Sequence, residues 1–371
     1  MKPFRMLHES TMEELAGKTP EKEEELLEKR GIFERTLEKK VETPRKKGEL
    51  IMQEKNVRIL EIGKESTAIM KAVAFFMVIV AHYYRFYSNG SRLSALGSMG
   101  FFGAAVFAFL SGYGVMKSYN ANGFGVGWIG KKLRKIYIPF LIVNILSVIF
   151  VYGIREDGSN IIGRIVFGTD DYVMWYIPFV LGFDLCFFFI YNLKISNRNR
   201  LILFGLICVI QIVALRLVNA GSQWYTATGS LFLGVLLAGH PVSIKKKSRH
   251  ILNFIVSWCI FTVSGIVSKL YVDYSTIKDC FTCISGMAFC FGMLVLFEEI
   301  EKLGLLKLLH FLQCIGNASL WGYILHMKVL YLLCRYVGRI NVVIYIASVC
   351  FAMMIFDATW KRIIFVNRKL Q

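Results

Sequence analysis

Two residues on one predicted helix carry the chemistry that this chain offers most clearly. Lys71 and His82 are eleven residues apart, which on an α-helix is about 1,100° of rotation, or three turns plus ~20°, and a rise of ~16 Å. They therefore share a face without touching. An imidazole titrates near neutrality and can take and return a proton, whereas an ammonium can hold an anion or a developing oxyanion. Arg85 follows His82 by three positions, close enough to hold an anion or to fix the imidazole's protonation state. Each of these groups alone is also compatible with a satisfied polar residue in a core or an anchor at an interface.

The segments that position them are apolar. Of 371 residues, 55% are hydrophobic and 14% aromatic, with a mean hydropathy of +0.51, beyond what a soluble domain of this length carries. The formal charge is +18 and the pI about 9.5. A nucleic-acid partner is not expected, because only 19% of residues are charged and such proteins display their basic residues on a polar surface. Residues 1–65 hold 15 basic and 15 acidic side chains, and the other 306 hold 29 and 11. The whole excess thus belongs to the apolar part. Residues 1–65 read as a charged cytoplasmic tail, disordered or partly helical, with a narrow stripe at Leu26, Phe33, Leu37 and Val41. No apolar run of the signal-peptide kind follows the first basic residues, so the N-terminus is expected to stay in the cytoplasm.

From residue 66 onward the apolar stretches approach the ~20 residues that cross a bilayer core. Boundaries at charge clusters and turn residues place spans near 66–87, 100–118, 136–154, 173–191, 201–218, 224–242, 250–270, 279–298, 312–334 and 341–360. The predicted fold is all-α, a polytopic membrane protein of about ten transmembrane helices over 66–365, with 366–371 as a short cytoplasmic C-terminus. Alternate connections are basic: Lys131 to Lys135, Lys194 to Arg200, Lys245 to Arg249, Lys302 to Lys307, and Lys361 to Lys369. The positive-inside rule puts these in the cytoplasm together with both termini, as an even number of crossings requires.

Charged groups within spans are costly and face cavities or partners. Besides Lys71, His82 and Arg85 they are Lys117, Asp184, Arg216, His326 and Asp357; Lys117, Arg216 and Asp357 stand near span ends, where they can snorkel. The pair Cys280 and Cys283 has zinc-like spacing but no second pair or nearby His, and reads as small apolar helix residues. Glycine-rich phosphate loops, nucleophile elbows and metalloprotease motifs are absent from the sequence.

Five local patterns, in order, resemble the integral membrane acyltransferases of acyltransferase family 3, over about residues 66–365. They are Lys71 with His82 after ten intervening positions; the aromatic run Phe107 to Tyr113 containing Ser111-Gly112; the basic cluster Lys131 to Lys135 leading to Pro139; Met174-Trp175-Tyr176; and the stretch from Gly316 through Ser319 and Tyr323 to His326. Lys71 stands where many members have Arg, which can make a planar fork that Lys cannot.

The resemblance implies transfer of an acyl group, commonly acetyl, from cytoplasmic acyl-CoA to a hydroxyl of a cell-surface polysaccharide or glycolipid at the cell membrane, with no permanently bound cofactor. His82 would be the general base. Lys71 would meet the thioester oxygen or a donor phosphate, and Arg134 and Lys135 would pair with donor phosphates. Ser111 would line the cavity or make a close helix contact, Trp175 would position a sugar, and His326 would be a second cavity residue. The competing class is a secondary transporter or exporter of glycans or lipid-linked sugars, which also uses basic residues in a cavity.

Overall fold

The computed structural model describes residues 58–87, 96–125, 127–152, 161–169, 173–244 and 247–369. Most of the expected charged tail lies outside them, and the part from Ile59 onward forms one unit. Helices dominate it. In order they are α1 (Lys64–Tyr87), α2 (Met99–Asn122), a compound α3, α4 (Ile161–Val166), α5 (Tyr176–Asn192) and α6 (Asn197–Leu217). Then come α7 (Gln223–Thr226), α8 (Thr228–Gly239), α9 (Lys247–Leu270), α10 (Ser275–Lys302), α11 (His310–Tyr336) and α12 (Val342–Lys369).

The third helix has a local cause for its irregularity. It starts as Trp128–Lys132, widens to a π-helical turn at Leu133–Tyr137, resumes as Ile138–Ser147 and ends in a second π turn at Val148–Tyr152. Pro139 lies at the start of the resumed segment. It has no N–H to donate, and its ring crowds the carbonyl four residues back, so the preceding turn opens. That opened turn carries Arg134 and Lys135.

Among the described residues seven helices are long and apolar enough to cross a membrane: α1, the α2 region from Leu96, α3, α6, α9, α10 and α12. The other three apolar segments are helical but differ in kind. Helix α5 has 17 residues. Residues 224–242 form α7 and the 12-residue α8, and twelve residues rise only ~18 Å against a hydrocarbon core of ~30 Å. Helix α11 is long enough, with 27 residues, but Asn317, Ser319, Tyr323, His326 and Lys328 dilute its apolar character.

Burial separates inner from outer helices. In its apolar window α1 is 67% buried and α2 61%, whereas α6 and α9 are each 11% buried. The inner helices meet backbone to backbone. A Cβ on Gly112 of α2 would lie 2.1 Å from the Leu231 carbonyl oxygen of α8, and one on Gly234 of α8 would lie 2.1 Å from the Phe109 carbonyl oxygen of α2. On α11, a Cβ at Gly316 would lie 1.7 Å from the Ala68 carbonyl oxygen of α1. Small residues of this kind let helices approach where no hydrophobic force drives them together. Before α1, the Leu60 N–H donates to the Val242 carbonyl (2.9 Å). The Glu301 carboxylate accepts from the Gly63 N–H (3.0 Å) and the Ser66 hydroxyl (2.6 Å), capping the first turn of α1.

Gly316→Ala is expected to destabilise the protein by roughly 2 kcal/mol through overpacking. Gly114→Ala, where a Cβ meets nothing within 4 Å, is expected to be neutral or to stabilise by about 0.5–1 kcal/mol. Unfolding midpoints of the two detergent-solubilised variants must shift in these different directions; equal shifts would contradict the packing argument.

Candidate active site

His82 of α1 and His326 of α11 are 244 positions apart in sequence and adjacent in space. Their ring centres are 5.1 Å apart, with 33° between the planes. His82 is half-buried and His326 has no exposure. The His326 Nδ1 lies 2.6 Å from the Tyr323 carbonyl one turn earlier. A carbonyl only accepts, so Nδ1 carries the hydrogen. Tyr345 of α12 donates to the His326 carbonyl (3.3 Å), which anchors this point of α11 from its other side.

A polar run leaves the histidine pair through α11. The Tyr323 hydroxyl donates to the Val173 carbonyl and accepts from the Tyr176 N–H (3.3 Å). The Tyr176 hydroxyl in turn is 3.0 Å from Ser111 Oγ. Ser111 and Asp184 line one small pocket, with Val180 and Phe183 among its apolar lining. Tyr176 and Asp184 stand two turns apart on α5, ~12 Å by helical rise. Ser111 lines this pocket, and the neighbouring Gly112 makes a close helix contact.

Asp184 also meets a cation. Lys132 Nζ donates to both carboxylate oxygens of Asp184, at 3.0 and 2.8 Å, and rests over the Trp128 ring, 5.3 Å from its centre. Lys71 is half-buried, with Lys135 and Lys132 as the cations that act on it. Like charges converge at little mutual benefit, so the arrangement suits an anion that all can share. Arg134 and Lys135 are exposed on the π turn.

The remaining predicted residues sit at the edges. Trp175 is half-buried, with its ring centre 6.1 Å from that of Trp224 and edge-on to Tyr176. Arg85 is exposed at the end of α1. Arg216 does not snorkel: it pairs with Asp279 (2.6 Å), and its other branch donates to Ser275 and Thr276. Lys117 pairs with Glu61 (2.8 Å) and Asp357 with Lys361 (2.5 Å). Sequence reasoning missed Tyr176, Tyr323 and Lys132 as parts of the site, and it passed over Lys328, which is buried two residues beyond His326. All three lay within patterns that carry the family resemblance, but in the basic cluster only Arg134 and Lys135 were given a role beyond orientation.

An acyltransferase-domain family model matches residues 68–360, which takes in the histidine pair, the pocket and the cations. The chain belongs to acyltransferase family 3. It is a multi-pass membrane protein with an acyltransferase domain over most of its length. No curated protein and no solved structure matches it.

The Lys132–Asp184 pair generates a prediction from its asymmetry. Asp184 is 7% exposed at its side chain and Lys132 27%. Removing the lysine strands a buried carboxylate, whereas a stranded lysine can swing its ammonium outward. Lys132→Met should therefore lower stability by about 3 kcal/mol and Asp184→Asn by only ~1 kcal/mol, and the double variant should recover most of the Lys132→Met loss. A denaturation series in detergent showing the reverse order would refute this account.

Proposed function

We propose that this protein transfers an acyl group, acetyl in the first instance, from cytoplasmic acyl-CoA to a hydroxyl of a cell-surface carbohydrate or glycolipid, with His82 as the general base. The observation that carries the reading is the polar run through an otherwise apolar core. It has an imidazole pair at one end and a cluster of cations at the other, both built on α1 and set ~16 Å apart by helical rise. A CoA thioester has the same layout, with phosphates at one end and the reacting carbonyl at the other, joined by an extended pantetheine arm. Membership of an acyltransferase family favours this reading over glycan export.

In this reading the chain crosses the cell membrane ten times, α7 and α8 together serving as one crossing, and keeps both termini in the cytoplasm. The π turn bearing Arg134 and Lys135 then faces the cytoplasm, where the positive-inside rule puts it. Donor phosphates lie against Lys135, Arg134 and Lys71, and Asp184 keeps Lys132 in place beside them. The thioester reaches toward His82. As the acceptor oxygen attacks the thioester carbon, the imidazole takes the hydroxyl proton. When the carbon–sulfur bond breaks, it returns that proton to the departing thiolate. The half-buried Trp175, with Trp224 beside it, offers an aromatic face to a sugar ring, and Arg85 lies on the outer approach.

Mass spectrometry of surface glycans from cells with the gene intact, deleted or carrying His82→Ala tests this directly. Ester-linked acyl groups should be lost on deletion and on His82→Ala. Glycans unchanged on deletion would remove the proposed reaction, and full acylation by His82→Ala would remove the assigned base. In membranes supplied with acetyl-CoA, Lys71→Ala should raise the donor KM by about tenfold or more, as expected for loss of one charge-assisted contact worth ~1.5–3 kcal/mol.

A further inference from the structure

The step just described leaves His326 without a task, yet its geometry is the most constrained in the site. Its Nδ1 hydrogen is committed to the Tyr323 carbonyl, so the neutral ring presents a lone pair at Nε2. That nitrogen is buried and has no hydrogen-bond partner among the described residues. An acceptor left so in an apolar core costs free energy unless something donates to it at some stage of the cycle. The neighbouring ring is His82. A ring nitrogen lies about 1.2 Å from the centre of an imidazole, so with centres 5.1 Å apart two nitrogens turned toward each other would come to roughly 3 Å, hydrogen-bond range.

We propose that His326 is the positioning partner of His82, its Nε2 lone pair accepting a hydrogen bond from the His82 imidazolium while that ring holds the proton of the acceptor hydroxyl. This rests on the acyl-transfer reading above and adds to it the group that stabilises the protonated base. The balance is simple. The hydroxyl O–H breaks and its proton passes to His82; the new carbon–oxygen bond forms and the carbon–sulfur bond breaks; the proton then passes to sulfur. His326 keeps its own Nδ1 hydrogen throughout and neither gains nor loses a proton. Its fixed tautomer and its anchors, Tyr323 through the side chain and Tyr345 through the carbonyl, mean that the lone pair needs no reorganisation when the charge appears. The aromatic volume of His326 would equally suit a residue that only packs α11 on α1, so the test must separate an acceptor from a filler.

The two roles order the variants oppositely. Phe fills the aromatic volume but accepts nothing, whereas the amide oxygen of Gln reaches the place of Nε2. Membrane vesicles from cells expressing the full-length chain would be given radiolabelled acetyl-CoA, with alkali-labile label in the glycan fraction as the readout. His326→Phe should lower kcat about a hundredfold with the acetyl-CoA KM within about twofold, and His326→Gln should regain at least about tenfold of that loss. His326→Asn, whose amide reaches only as far as Nδ1, serves in place of Phe if the Phe variant fails to accumulate, and should remain well below Gln. Phe equal to or better than Gln, Gln no better than Asn, or a loss expressed wholly in KM would overturn the assignment while the acyl-transfer reading stands. Absence of alkali-labile label with the unsubstituted chain would instead overturn that reading, and this inference with it.

Discussion

Inside a bilayer no water waits to satisfy a polar atom, so a polar group at membrane depth persists only where protein holds it. The rest of this structure follows from that constraint. His326 is tied to its own helix through Tyr323 and to α12 through Tyr345. Tyr323 ties α11 to the Val173–Tyr176 turn, Tyr176 ties α5 to Ser111 of α2, and Asp184 ties α5 to Lys132 of α3. Apart from the His326–Tyr323 bond within α11, each of these bonds also joins two elements of the fold. The groups able to do chemistry and the groups that set the helix register are therefore the same groups, and this is why they form one run rather than scattered pairs.

Such a run demands close approach, which the glycines provide. With Gly316 against the Ala68 carbonyl, and Gly112 and Gly234 set against each other's helices, α1, α2, α8 and α11 stand nearer than larger side chains would permit. A hydroxyl or imidazole on one helix then reaches a partner on the next. Helix α11 shows what this costs in hydropathy. It is long enough to span, but the polar residues that serve the site keep it out of the set defined by apolar length. The outer helices α6, α9 and α12 are highly apolar and largely unburied, a composition suited to lipid and unsuited to holding the site.

Part of this was legible in the chain and part was not, for reasons that can be assigned. The Lys71–His82 relation is legible because a single helix fixes it: eleven residues give the face and the rise without reference to any neighbour. The helical segments are legible because continuous apolar runs have one good backbone solution in a membrane. What depends on register between helices was hidden. His82 and His326 are 244 positions apart, and their meeting depends on the close approach of α1 and α11, at Gly316 against Ala68 and at Gly322 against Phe75. Arg216, read as an end-of-helix snorkeller, finds Asp279 only because α6 and α10 bring them to the same level. Hydropathy also treats every apolar run as a full crossing, so it could not distinguish the 12-residue α8 from a complete span.

Lys132 shows why the basic excess of this chain is not one phenomenon. In a count of loop charges it resembles Lys131, and both serve the orientation signal equally. In space Asp184 neutralises it inside the bundle, while Lys71 and Lys135 remain as positive charges beside it with no carboxylate recorded against them among the described residues. A cation paired with a buried carboxylate contributes structure and little net field; one left unneutralised at the edge of a low-dielectric core contributes field. The positive potential here therefore comes from two different helices, from Lys71 on α1 and from Arg134 and Lys135 on the π turn of α3. Their spacing is set by the widened turn ahead of Pro139. A proline that looks like a simple helix start thus helps decide where these charges stand, and the three turns of α1 set how far Lys71 lies from the imidazoles.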